Sequence, residues 1–263
     1  MTRTSLLACL FVLTACNPTP APMDDAAIVT DAGPPDTGAP MTCAPVAPTC
    51  VDQQISMLNL LTTVSTRTVE EETSTISGAH QSHIDSMGGG LDPNESYVYA
   101  RFTDTGLMRV SVSDQDALAS SDWDIAFRRF IIRLNSGVSG PSCVQGARTA
   151  GGTTFESVTA VPSGLAFHAE SYMTADPDCT VVPDGSGLGS PDTVLSSFWT
   201  YPGCVSMSHN VYVIQLANNR HVKLEVLGYY NPADQTICDG PTHGMPTATG
   251  SSGNIRIQWA YLD

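Results

Sequence analysis

Positive charge is what this chain has least of. It carries 11 Lys+Arg against 26 Asp+Glu, a formal net charge of −15 at pH 7. Lys223 is its single lysine. A chain this acidic repels a phosphate backbone, which excludes nucleic acid as a partner. Long apolar runs are missing too: no segment approaches the roughly 20 residues that a membrane-spanning helix needs. There is no G-x-S-x-G elbow, H-E-x-x-H helix, P-loop or dinucleotide glycine motif, and scattered His, Ser and Asp do not make a triad. No site for an enzyme announces itself, so the expectation is a non-enzyme. No C-x-x-C pair supports a zinc or redox reading, and no internal repeat is visible.

What is present begins at the N-terminus. Arg3 precedes an apolar run over 6–13 that closes on Leu13-Thr14-Ala15-Cys16. This is the pattern of a secretory signal with a lipobox, which predicts a signal peptide over 1–15 and a lipid on Cys16. Residues 16–42 are rich in Pro, Ala, Asp and Thr and lack large apolar side chains, as in a disordered tether. Residues 43–263 then make one domain. Of the eight cysteines, Cys9 leaves with the signal and Cys16 takes the lipid. Cys43, Cys50, Cys143, Cys179, Cys204 and Cys238 remain, an even set that predicts disulfides in an exported domain. Sequence leaves their pairing open. Cys43 and Cys50 can close a local loop, Cys143 and Cys179 bracket an irregular middle, and Cys204 and Cys238 bracket a hairpin.

Most of the domain reads as strand. Residues 51–62 give the one convincing helix, with Asp52 as a cap and Ile55, Leu58 and Leu61 along one side. Strand is expected over 65–76, a loop over 80–92, and a hairpin from 97–102 and 107–112 across Asp104-Thr105-Gly106. One short helical turn fits 113–121. A Gly/Ser loop runs to Thr153, with short strands near 154–158 and 165–169. A long Gly/Pro/Asp-rich stretch over 170–202 has the length of a functional loop. Residues 211–216 and 223–230 form a hairpin across Asn218-Asn219, and 255–261 is a closing strand. The sum is all-β: antiparallel sheets with hairpins and long loops and minor helical content.

The stretch 122–137 carries the most information. Trp123, Ile125 and Phe127 share one face; after Arg128-Arg129 the phase slips by one, and Phe130, Ile132 and Leu134 take over. Read as one long strand, that slip requires a bulge or bend. Asn135-Ser136-Gly137 supplies turn chemistry. A W-D-I-A-F-R strand running into N-S-G, the Val211-Tyr-Val-Ile strand with Lys223-Leu and Tyr229-Tyr230 beyond its turn, and the Ile255-to-Tyr261 end together resemble the HmuY family of haem-binding bacterial surface lipoproteins. The resemblance covers much of 97–263. Asn218-Asn219 departs from the family's usual glycine turn, though Asn tolerates the positive φ required.

That resemblance implies a mainly β domain gripping haem between loops and passing it to an outer-membrane uptake receptor. The protein would sit at the outer membrane or cell surface, held by its lipid, with a periplasm-facing orientation also open. It further implies two axial ligands from separate loops, one after N-S-G and one just before the Val211 strand. The matching positions hold His168 and Met173 on the first side and Met207 and His209 on the second. The leading pair is Met173 with Met207, then His168 with His209, and mixed pairs are open. His168 can equally be a packed or a surface residue, Met207 core filler and His209 a strand cap. His80 and His83 are a further metal-capable pair. Arg128, Arg129 and Arg133 can meet haem propionates or line a solvated strand face. Trp123, Phe127, Tyr212, Tyr229, Tyr230 and Trp259 read as core. Asp92-Pro-Asn-Glu95 and Asp176-Pro-Asp178 are acidic turns without calcium-loop spacing. Six domain cysteines are not part of the family pattern, and a structural or interaction lipoprotein without haem is the alternative reading.

Overall fold

The computed structural model describes residues 43–88 and 94–262. The signal peptide, Cys16 and tether expected over 1–42 lie outside the described residues, as does Asp92. In chain order the strands are β1 (Val69–Glu72), β2 (His80–Asp85), β3 (Val98–Thr103), β4 (Gly106–Val110), β5 (Ile125–Arg128), β6 (Ile131–Leu134), β7 (Gln145–Arg148), β8 (Trp199–Thr200), β9 (Ser206–Met207), β10 (Val211–Gln215), β11 (His221–Gly228) and β12 (Asn254–Tyr261). Among the described residues three short α-helices accompany them, α1 (Val51–Met57), α2 (Asp114–Ala117) and α3 (Pro232–Asp239), with a 3-10 turn at Ser196–Phe198. A six-stranded sheet runs β1-β2-β12-β11-β10-β7, a four-stranded sheet runs β4-β3-β5-β6, and β8 pairs with β9. All named pairings are antiparallel. The fold is the all-β, hairpin-rich arrangement that the sequence predicts.

Period-two alternation builds the main core. Val222, Leu224 and Val226 of β11 and Ile255, Ile257 and Trp259 of β12 are buried in one cluster with Val98, Ala100, Phe102, Ile125, Phe127, Ile132 and Leu134 of the other sheet. The second face of the four-stranded sheet is covered as well. There Tyr97, Tyr99, Trp123 and Ala126 pack with Leu58, Leu60, Tyr172, Met173 and Cys179. A smaller cluster joins Val211 and Val213 of β10 to Phe155 and Val158. The six landmark aromatics expected in the core are all buried.

Several local expectations are corrected. The stretch 122–137 is not one bulged strand. Phe127 faces Ile132 and Arg128 faces Ile131, so Arg129-Phe130 is a two-residue hairpin turn. Arg129 takes φ 52°, as such turns demand. The chain reverses there, and each odd-numbered residue of β5 pairs with an even-numbered one of β6, which is the phase slip. Residues 80–85, expected as loop, form β2 inside the large sheet; its polar Ser82 is buried and accepts a hydrogen bond from Trp259 Nε1 at 3.0 Å. The first helix ends at Met57, and Asn59 turns the chain at φ 48°. β7 arises inside the expected Gly/Ser loop, α3 forms over 232–239, and no strand forms over 154–158.

The disulfides are Cys43–Cys143, Cys50–Cys179 and Cys204–Cys238. Cys43 and Cys50 therefore do not close a local loop. Each ties the N-terminal segment to a distant one, because that segment lies over the outer face of the four-stranded sheet.

Candidate functional site

β7 is an edge strand whose free side is taken by the segment after it. Gly146 N donates to His168 O at 3.0 Å and His168 N returns a bond to Gly146 O at 2.9 Å. Across β7 on the other side, Arg148 registers with Tyr212. These elements wall a cleft of about 670 Å³ lined by Arg148, Leu165, His168, Asp192, Val194 and Tyr212 among others. That volume suits an organic ligand. A second cleft of about 530 Å³ shares Arg148, Asp192, Ser196 and Ser197 with it and adds Trp199, Tyr201, Ser208 and Asn210.

Glu170 holds the wall of the first cleft. Its carboxylate accepts from Leu134 N at 2.8 Å and from Val194 N at 3.0 Å. Burial pushes its pKa up from 4.5 to about 7, against the pull of those two amides and of Arg133. The loop before β10 is held against the same wall. Ser208 N donates to Phe198 O at 3.0 Å, and Ser208 Oγ and Asn210 Nδ2 both donate to Ser197 O at 2.7 Å.

The four expected donors fall into two kinds. His168 is exposed in the first cleft with its backbone fixed to β7. His209 sits between the two residues that line the second cleft, at φ 54° and with its side chain 57% exposed. Its Nδ1 lies 2.9 Å from Glu225 Oε1, and that hydrogen bond raises its pKa above the ordinary value. Facing a carboxylate, Nδ1 carries the proton, which leaves the lone pair of the neutral ring on Nε2. A metal-binding histidine commonly has this arrangement, the second nitrogen donating to a carboxylate. Met173 and Met207 are both 7% exposed and lie in different apolar clusters. The fold does not bring the two thioethers together.

Other candidates are committed elsewhere. His80 stacks on Trp259 at 4.3 Å and His83 Nε2 meets Asn254 Oδ1 at 3.1 Å. Three apart on a strand, their rings leave opposite faces, so they cannot chelate one ion. Glu95 is occupied by Ser65, Thr66 and Arg67. Arg128 and Arg133 form neither a propionate fork nor a solvated face. Both are buried: Arg128 bonds Leu58 O at 2.6 Å and faces Asp114, Arg133 bonds Tyr99 Oη at 2.7 Å, and both lie over the Tyr97 ring. Sequence reasoning overlooked Arg148, Asp192 and Ser196. Arg148 lies in Gln-Gly-Ala-Arg, which has no apolar alternation to reveal a strand. Among the described residues no group of three or more His, Cys, Asp or Glu could hold a metal ion.

The family model described as HmuY protein matches residues 92–242, more than half of the chain. This chain belongs to the HmuY family. Three solved structures are similar at low identity. A protein of Bacteroides fragilis described as a lipoprotein has 13% identity and a TM-score of 0.44, covering 73% of this chain and 93% of its own. A Bacteroides vulgatus protein described as HmuY-like and heme-binding has 18% identity and a TM-score of 0.44, covering 73% and 96%. The apo HmuY analogue of Tannerella forsythia has 14% identity and a TM-score of 0.37, covering 75% and 96%. No curated protein matches the chain. Among the described residues no helix is long and apolar enough to cross a membrane.

Proposed function

We propose that this HmuY-family protein is a lipid-anchored, extracytoplasmic haem binder that hands haem to an outer-membrane receptor. The observation that carries the reading is the pair of adjoining clefts with the exposed imidazole of His168 in the first, while Glu225-backed His209 stands in the chain between Ser208 and Asn210 of the second. Haem iron takes His or Met axial ligands within apolar and aromatic walls. Leu165, Val194, Trp199, Tyr201 and Tyr212 supply such walls. Of the four expected donors, His168 and His209 come first, because ligation by Met173 and Met207 requires both to leave the apolar interior. The bound iron would supply the coordination sites; the chain's part is to orient the imidazoles and exclude water.

A Soret titration of the purified domain tests this. We expect a red-shifted band in the unmutated domain, weakened by His168→Ala or His209→Ala and little altered by Met173→Ala or Met207→Ala. Binding should weaken as pH falls through the raised His209 pKa, since a protonated imidazole cannot ligate. A flat response removes haem and favours the scaffold reading. The anchor rests on Leu13-Thr14-Ala15-Cys16. Cys16→Ser should move the protein from the membrane to the soluble fraction, and retention at the membrane would refute a lipid on Cys16.

A further inference from the structure

We infer that Arg148 anchors a carboxylate of the ligand, making the cleft selective for a tetrapyrrole that keeps its free acid arms. The inference rests on the haem-binding reading and extends it to a residue outside the iron. Most arginines of this chain are already matched. Arg67, Arg101, Arg128, Arg220 and Arg256 each face a carboxylate, and Arg133 is enclosed by tyrosines. Arg109 bonds the Ser65 carbonyl and Lys223 the Phe155 carbonyl.

Arg148 differs. Among the described residues its guanidinium has no hydrogen-bond or ion-pair partner, and it is exposed on the wall common to both clefts. Its backbone is fixed, because β7 pairs with β10 on one side and with His168 on the other. The carboxylates that share the clefts have partners of their own. Asp192 Oδ1 accepts from Ser196 Oγ at 2.8 Å, and Asp184 Oδ1 accepts from Ser186 N at 2.9 Å.

The charge balance makes this position decisive. A protein with a formal net charge of −15 repels a ligand bearing two carboxylates. An unpaired guanidinium at the cleft wall reverses that locally, and its planar fork matches a carboxylate with two parallel hydrogen bonds. Among the described residues Arg129 is the other arginine whose side chain has no polar partner, but its Nε is buried, it packs over Phe130, and it lines neither cleft.

The test compares three porphyrins on the full domain: haem, iron-free protoporphyrin with free propionates, and the dimethyl ester of that protoporphyrin. Soret shift reads the first and porphyrin fluorescence the other two. We expect Arg148→Gln to weaken haem and free-acid protoporphyrin by about tenfold, the scale of one exposed charge-assisted pair, and to leave the ester unchanged. Arg148→Lys should recover part of the loss, and Arg129→Gln should change nothing. Equal wild-type binding of acid and ester, or equal loss of both in Arg148→Gln, overturns the anchor while leaving the haem reading in place. A wild type that gives no Soret shift with haem but binds free-acid protoporphyrin through Arg148 removes the iron ligands and keeps the anchor. Binding of none of the three overturns both. Thermal melting shows whether Arg148→Gln folds, which an exposed side chain without partners predicts.

Discussion

Glu170 lies in the chain between His168, which faces the cleft, and Tyr172, which is buried, and its two oxygens join β6 to the cleft wall. Burial raises its pKa from 4.5 to about 7, so the folded state holds the proton more tightly than the unfolded chain. The sign follows: this stabilisation is full below about 4.5 and is lost as pH rises through about 7, a change on the order of 3 kcal/mol. Asp124, raised by burial to about 6, acts in the same direction. Glu170→Gln cannot titrate, and its amide sets a donor against one of the two backbone donors. We expect the variant to lose about 1–3 kcal/mol at pH 5 and to show a flatter stability profile between pH 5 and 8. Urea unfolding across that range measures both, and an unchanged slope would exclude Glu170 as the titrating group. None of this is readable from the sequence, where Glu170 is one acidic residue among 26. Its burial depends on the 193–196 segment folding over β6.

At the scale of elements, the turn after β6 is held by close approach. Gly137 has φ 54°, and a Cβ there would sit 2.1 Å from Glu170 O. Gly152 has φ 80° but nothing within 4 Å. Gly137→Ala should therefore cost well over the roughly 1–2 kcal/mol that left-handed strain alone costs, and Gly152→Ala only about that amount. Comparing the two unfolding curves separates clash from strain, and equal losses would refute the contact with Glu170. Legibility varies from element to element for physical reasons. β10, β11 and β12 show in the sequence because their apolar residues alternate or run continuously. β2 does not, because its interior position at Ser82 is polar and satisfied by Trp259. α3 was legible and overlooked: Asn231 caps Asp234 N at 3.0 Å with Pro232 in the first turn.

For the whole molecule, the N-terminal segment acts as a cover. Cys50–Cys179 joins α1 to the segment carrying Met173, across a sequence separation of 129. Replacing both with Ala should cost about 2–5 kcal/mol and raise hydrogen exchange over 172–181 more than elsewhere. Exchange that rises evenly across the domain would refute a local cover. Thiol counting under denaturing, non-reducing conditions should find none free among the six domain cysteines. The even cysteine set, the all-β class and the closing strands were determined by the sequence alone, because each depends on local pattern or on residue count. Tertiary structure decided what depends on packing between distant segments. It set which cysteines pair, and it buried Arg128 and Arg133 by covering the second face of a sheet that sequence treats as solvated. It also left His168 and Arg148 exposed in the clefts and His209 exposed beside Glu225, and it turned Met173 and Met207 inward. Periodicity marks which face of a strand is apolar; only the segments folded over that strand determine whether its other face meets water.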